Sequence, residues 1–113
     1  MSKFDEKVEL YKNFMNNKGI SFDADLLTAV TKGLGPSIYK RDAETVSGTD
    51  AKELETVKKN FLIKKLGLED GPKLDEAISE VLEQIGTSER SKYRAAVYYL
   101  LTKKFGKESV YGL

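Results

Sequence analysis

Histidine and cysteine are both missing from this chain of 113 residues. Without cysteine there is no disulfide framework, no thiolate nucleophile and no thiolate-held zinc. Without histidine, the commonest general base, the commonest metal ligand and the usual switch near neutral pH are gone as well. Net charge is nearly absent: 19 Lys/Arg against 18 Asp/Glu leave +1, so no overall field steers the molecule toward nucleic acid or membrane. Long hydrophobic runs are lacking too. The longest, Ala95 to Leu101, has seven residues, against the roughly 20 needed to cross a bilayer. The polar start Ser2-Lys3-Phe4-Asp5-Glu6-Lys7 has no apolar signal core. These absences predict a cytoplasmic protein without metal, cofactor or membrane association.

What is present is a foldable composition, 40% hydrophobic and 33% charged, in the range of globular rather than disordered chains. A chain of this length forms one domain, residues 1–113, and buries roughly two-thirds of its unfolded surface. Its patterning is helical throughout. Phe4, Val8, Tyr11 and Met15 make one stripe on a helix from about Lys3 to Asn16. Asp23 is placed to cap a second helix, to Lys32, with Leu26, Leu27 and Val30 on its inner face. Pro36 suits the start of a short turn of helix, and 42–48 reads as a surface loop. A third helix runs from Asp50 to Leu66 on Leu54, Val57, Phe61 and Ile63/Leu66; Asp50 and Glu53 imitate a capping box. A fourth opens at Pro72 and buries Leu74, Ile78, Leu82 and Ile85.

The fifth helix, about 88–105, carries Ala95-Ala96-Val97-Tyr98-Tyr99-Leu100-Leu101. Seven consecutive residues travel almost twice around a helix, so this stretch has no polar face, and a helix that is apolar all round is buried. Ala96 to Thr102 would also suit a strand, but no second strand exists to pair with it. The fold class is therefore all-α: a compact bundle of about five helices with the C-terminal helix at its centre.

Function is less legible. No catalytic constellation stands out, and Ser37 has no obvious base. Glu76, Glu80 and Glu83 share a helix face, but di-metal bundles pair such glutamates with histidine, so a solvated acidic face is expected. Charge is segregated: residues 87–113 hold six Lys/Arg and two acids, whereas 69–83 hold six acids and one Lys. Attraction between the fourth and fifth helices accounts for part of this. A basic surface of Lys58, Lys59, Lys64, Lys65, Arg90, Lys92 and Arg94 is the alternative, fit for an anion or nucleic acid. A helix-turn-helix around Gly86 is disfavoured, because a recognition helix needs an open face. Gly35, Ser37, Lys40 and Arg41 form a weak phosphate-cradle candidate, with Pro36 removing one donor. Among six tyrosines, Tyr98 and Tyr99 point about 100° apart, and one of them facing outward would mark a partner surface.

Three segments carry a family resemblance: Gly-Pro-Ser-Ile-Tyr at 35–39, Glu-Leu-Glu-Thr-Val-Lys-Lys-Asn-Phe-Leu at 53–62, and Lys-Tyr-Arg-Ala-Ala-Val-Tyr-Tyr-Leu-Leu-Thr-Lys-Lys-Phe-Gly-Lys at 92–107. The chain resembles a family of small bacterial proteins known only as a domain of unknown function. The resemblance implies a compact helical bacterial protein and supplies no activity, substrate or site residue. The leading expectation is a non-enzymatic domain that binds another protein. Binding of an anion or nucleic acid by the basic residues of helices three and five is the alternative, and the oligomeric state is left open.

Overall fold

A computed structural model describes residues 2–113. Helix α1, Lys3–Asn17, starts where the Ser2 hydroxyl accepts from the Asp5 N–H, and it buries Val8, Tyr11 and Met15. Helix α2, Ala24–Leu34, is capped by Asp23, whose carboxylate accepts from the N–H groups of Asp25 and Leu26. A 3-10 turn, Gly35–Tyr39, follows with Pro36 at its start. The expected loop at 42–48 is instead a one-turn helix, α3 (Arg41–Glu44), followed by buried Val46. Lys40 accepts from the Ala43 and Glu44 N–H groups, closing that turn.

Helix α4 begins at Ala51, capped by Asp50, and after Thr56 widens into a π-helical stretch, Val57–Lys65. Its last turn closes with the Leu66 N–H donating to the Phe61 carbonyl at 2.9 Å, five residues back. The wider turn buries Leu62 and Leu66 alongside Val57 and Phe61, whereas an α-helix would turn both away from Val57. The anticipated capping box is absent. Asp50 caps alone, and Glu53 pairs with Arg94 instead.

Helix α5, Pro72–Ile85, buries Leu74, Ile78, Leu82 and Ile85 as its spacing requires, together with Ala77 and Val81. Helix α6 spans Arg94–Lys104 and starts later than the expected position near Ser88. The reason is tertiary. Lys92 offers its carbonyl to the Val46 N–H at 2.8 Å, and Tyr93 forms an isolated antiparallel bridge with Thr45, so this backbone pairs across the fold instead of extending the helix. From Ala95 to Thr102 every residue of α6 is buried. The apolar run is the hub, packed against α2, α5, α1 and α3. Lys104 pairs with Glu80 across α5 and α6, in line with the attraction expected between those helices. The tail ends in a second 3-10 turn, Glu108–Tyr111, docked on α2. The fold is all-α, with six α-helices among the described residues.

Candidate functional site

Arg94, the first residue of α6, organises the region where α6 meets α3, α4 and the C-terminal turn. Its Nε donates to the Ala43 carbonyl at 2.8 Å and Nη2 to the Thr45 carbonyl at 3.4 Å. Nη2 also pairs with Glu53, and Nη1 donates to the Tyr98 hydroxyl at 3.1 Å. The guanidinium is thus largely enclosed, and its charge is balanced by one carboxylate. One turn further along α6, the Tyr98 ring stacks on Phe61 with centroids 3.9 Å apart and 16° between planes.

Beside this node lies a cavity of about 310 Å³. The end of α2 contributes Gly33 and Leu34, and the turn after it Ser37. The π-helical stretch contributes Asn60, Phe61 and Lys65; its i→i+5 closure stacks Asn60 above Lys65. Arg94 and Tyr98 form the α6 wall, and Tyr111 closes the remaining side. The Lys65 ammonium sits 5.1 Å from the centre of the Tyr111 ring, a cation–π distance. Gly33 makes room for that ring: a β-carbon there would lie 3.3 Å from Tyr111 Cε1. Burial, and then the nearby Tyr98, push the Tyr111 phenol up to about 12. Burial also raises Tyr98, against the pull of Arg94. Both phenols therefore keep their protons, and their donor capacity, at neutral pH.

The basic residues singled out from the sequence do not form one face. Lys58 is held by Asp70 at 3.0 Å and Asp75 at 3.1 Å, which raise its pKa against a smaller burial effect; hydrogen bonding from Lys58 lowers that of Asp70. Lys59 pairs with Glu55 one turn back. Lys92 is buried, its Nζ donating to the carbonyls of Thr87 and Glu89. Lys64 and Arg90 reach solvent on separate elements without an ion pair among the described residues. Only Lys65 and Arg94 meet, at the cavity.

The phosphate cradle is not built. The Gly35 N–H is taken up by the Lys32 carbonyl, and the Ser37 hydroxyl donates back to the Leu34 carbonyl at 2.9 Å; Lys40 and Arg41 stand exposed without closing over the turn. Tyr98 and Tyr99 are corrected as well. They are 8% and 2% exposed, and the Tyr99 hydroxyl accepts from the Asp23 N–H at 2.7 Å, so both tie α6 to its neighbours instead of facing a partner. Tyr39, 48% exposed, is the aromatic side chain that faces out.

A larger trough of about 660 Å³ lies between residues 45–50 and 86–92. Several of its charges are engaged internally, Glu53 by Arg94, Glu89 by Lys18 and the Ser91 N–H, Lys92 by carbonyls, while Asp42 and Arg90 make no ion pair among the described residues. The smaller cavity differs in having donors in its lining and no carboxylate, whereas Asp42, Asp50, Glu53 and Glu89 line the trough. Asn60 and Tyr111 were not foreseen as its lining, because only the tertiary fold brings the tail to α2.

The model of the family described as "Protein of unknown function (DUF2853)" matches residues 9–109. The chain belongs to this family. The match spans the cavity-lining residues from Gly33 to Tyr98 and stops just short of Tyr111. No curated protein matches the chain. Among the described residues, no helix is long and apolar enough to cross a membrane.

Proposed function

We propose that this chain is a non-enzymatic, cytoplasmic binding domain whose ligand is a small anion, held in the cavity between α2, the π-helical stretch of α4, α6 and the C-terminal turn. One observation carries the reading. In a chain with 18 acidic residues, no carboxylate lines this cavity, and Lys65, the Tyr98 and Tyr111 hydroxyls and the Asn60 amide are in its lining as donors, with the guanidinium of Arg94, engaged by Glu53, carbonyls and Tyr98, beside them. Convergent donors in a partly enclosed space favour negative charge. A cysteine-free chain is also at ease in a reducing compartment. The pairing of Lys58, Lys59 and Lys92 argues for a compact anion over a nucleic-acid backbone, which needs a row of free cations.

Titrating the labelled protein with acetate and inorganic phosphate at low salt tests this by NMR. Amide shifts at Asn60, Lys65 and Tyr111 that saturate are expected. Shifts only from an oligonucleotide, spread over Lys58, Lys64 and Arg90, would replace it with the polymer reading.

Protein binding is a second reading, supported by the groove of about 560 Å³ where exposed Tyr39 stands beside Phe4, Lys3 and Lys7. Lys7 is paired with Glu44 at 2.8 Å, which leaves Lys3, among the described residues, as the free cation of the rim for a partner segment bearing a carboxylate. An acidic peptide that leaves the Lys3, Phe4 and Tyr39 amides unmoved removes this reading.

A further inference from the structure

We infer that the cavity selects a planar aromatic monocarboxylate of about one ring; this rests on the small-anion reading above and names its ligand class. Charge comes first. Arg94 is balanced by Glu53, whereas Lys65 has no carboxylate partner among the described residues and rests over the Tyr111 ring. One uncompensated cation matches one negative charge; a phosphate dianion would be left half unbalanced.

Shape and donors agree with that charge. About 310 Å³ is at the small end for ligand pockets and has room for a single ring bearing a carboxylate. The apolar lining is Leu34, Tyr111 and the margins of the Phe61 and Tyr98 rings, which are stacked on each other, so a flat ring would meet Tyr111 and the edges of that stack. The Tyr98 hydroxyl already accepts from Arg94, so its own proton is free to donate. Neither the Tyr111 hydroxyl nor the Asn60 amide makes a side-chain hydrogen bond among the described residues, and no buried polar atom there is left unsatisfied, so these groups face accessible space. A carboxylate with its oxygens toward Lys65 and the phenol donors leaves its ring against the aromatic walls.

The test is a parallel NMR titration of the full chain with benzoate, cyclohexanecarboxylate, acetate, inorganic phosphate and benzyl alcohol. Benzoate is expected to move the Gly33, Asn60, Lys65 and Tyr111 amides and to bind roughly tenfold tighter than acetate or cyclohexanecarboxylate. Tyr111→Leu removes a donor as well as an aromatic wall, so it is expected to weaken acetate and to weaken benzoate further, closing the gap between them. Equal binding of benzoate, acetate and phosphate overturns the aromatic inference and leaves the anion reading standing. Benzyl alcohol matching benzoate overturns the anion reading itself, and no shift from any of the five overturns both.

Discussion

Glu53 shows how one side chain can be read correctly by local rules and still serve another purpose. Its position three residues after Asp50 suits a capping box, but Arg94, 41 residues away, takes it. Sequence spacing carries no record of such a distant partner, and the same holds for Tyr111 beside Gly33. The Arg94–Glu53 pair is mostly shielded from water, so removing one partner leaves the other enclosed and uncompensated. Glu53→Gln is expected to lower unfolding free energy by about 2 kcal/mol, read by urea denaturation. A change within experimental error would mean the pair is no more than a surface contact. Tyr98 and Tyr99 make the complementary point: their abundance in an apolar run was legible, but burial and two specific hydroxyl partners assign them to the core.

Helices α1, α2 and α5 were legible because their apolar spacing and their Asp23 or Pro72 starts are local signals that the tertiary structure reinforces. The start of α6 was not, because pairing of Lys92 and Tyr93 with Thr45 and Val46 is non-local. The π-helical register of 57–65 was hidden for a related reason: Leu54, Val57 and Phe61 fit an α-helical stripe, and only the burial of Leu62 and Leu66, which an α-helix would turn away from Val57, reveals the wider turn. That register sets Asn60 and Lys65 at the cavity, so the site shared the obscurity of the element that builds it. Gly33→Ala probes the joint between α2 and the tail. Alanine favours the helix by about 1 kcal/mol over glycine, but its β-carbon crowds Tyr111. Little net change in stability is expected, with displaced Tyr111 ring signals and faster amide exchange from Glu108 to Tyr111. Unaltered tail signals would show that the ring does not rest on Gly33.

Across the whole molecule, α6 is the axis on which the other helices pack, and phenols buried on α1, α6 and the C-terminal turn link stability to alkaline pH. Burial raises Tyr11, Tyr98 and Tyr111; hydrogen bonding to Glu44 adds to the effect at Tyr11. A raised value in the folded state means that folding favours the protonated phenol. Its contribution is fully present below the ordinary value of 10.0 and is lost as pH rises through about 12 for Tyr111. Urea melts are therefore expected to be flat up to about pH 10 and to fall steeply above it, with tyrosinate absorbance rising together with unfolding. Full ionisation of all six tyrosines in a chain that stays folded would contradict this. The all-α class and the central position of the apolar run were readable from composition and periodicity; the site depended on which distant donors the packing brought together.

Charge reversal at Lys65 tests that convergence most directly. Lys65 is exposed and makes no ion pair among the described residues, so Lys65→Glu should still fold, with a melting temperature lowered only by the lost contact with the Tyr111 ring and the reversed charge at the helix end. Acetate and benzoate affinity, measured by NMR titration at low salt, should fall by at least about tenfold as the unbalanced cation is replaced by a carboxylate facing the ligand. Undiminished binding by a folded Lys65→Glu variant would show that the donor-lined cavity is not the anion site.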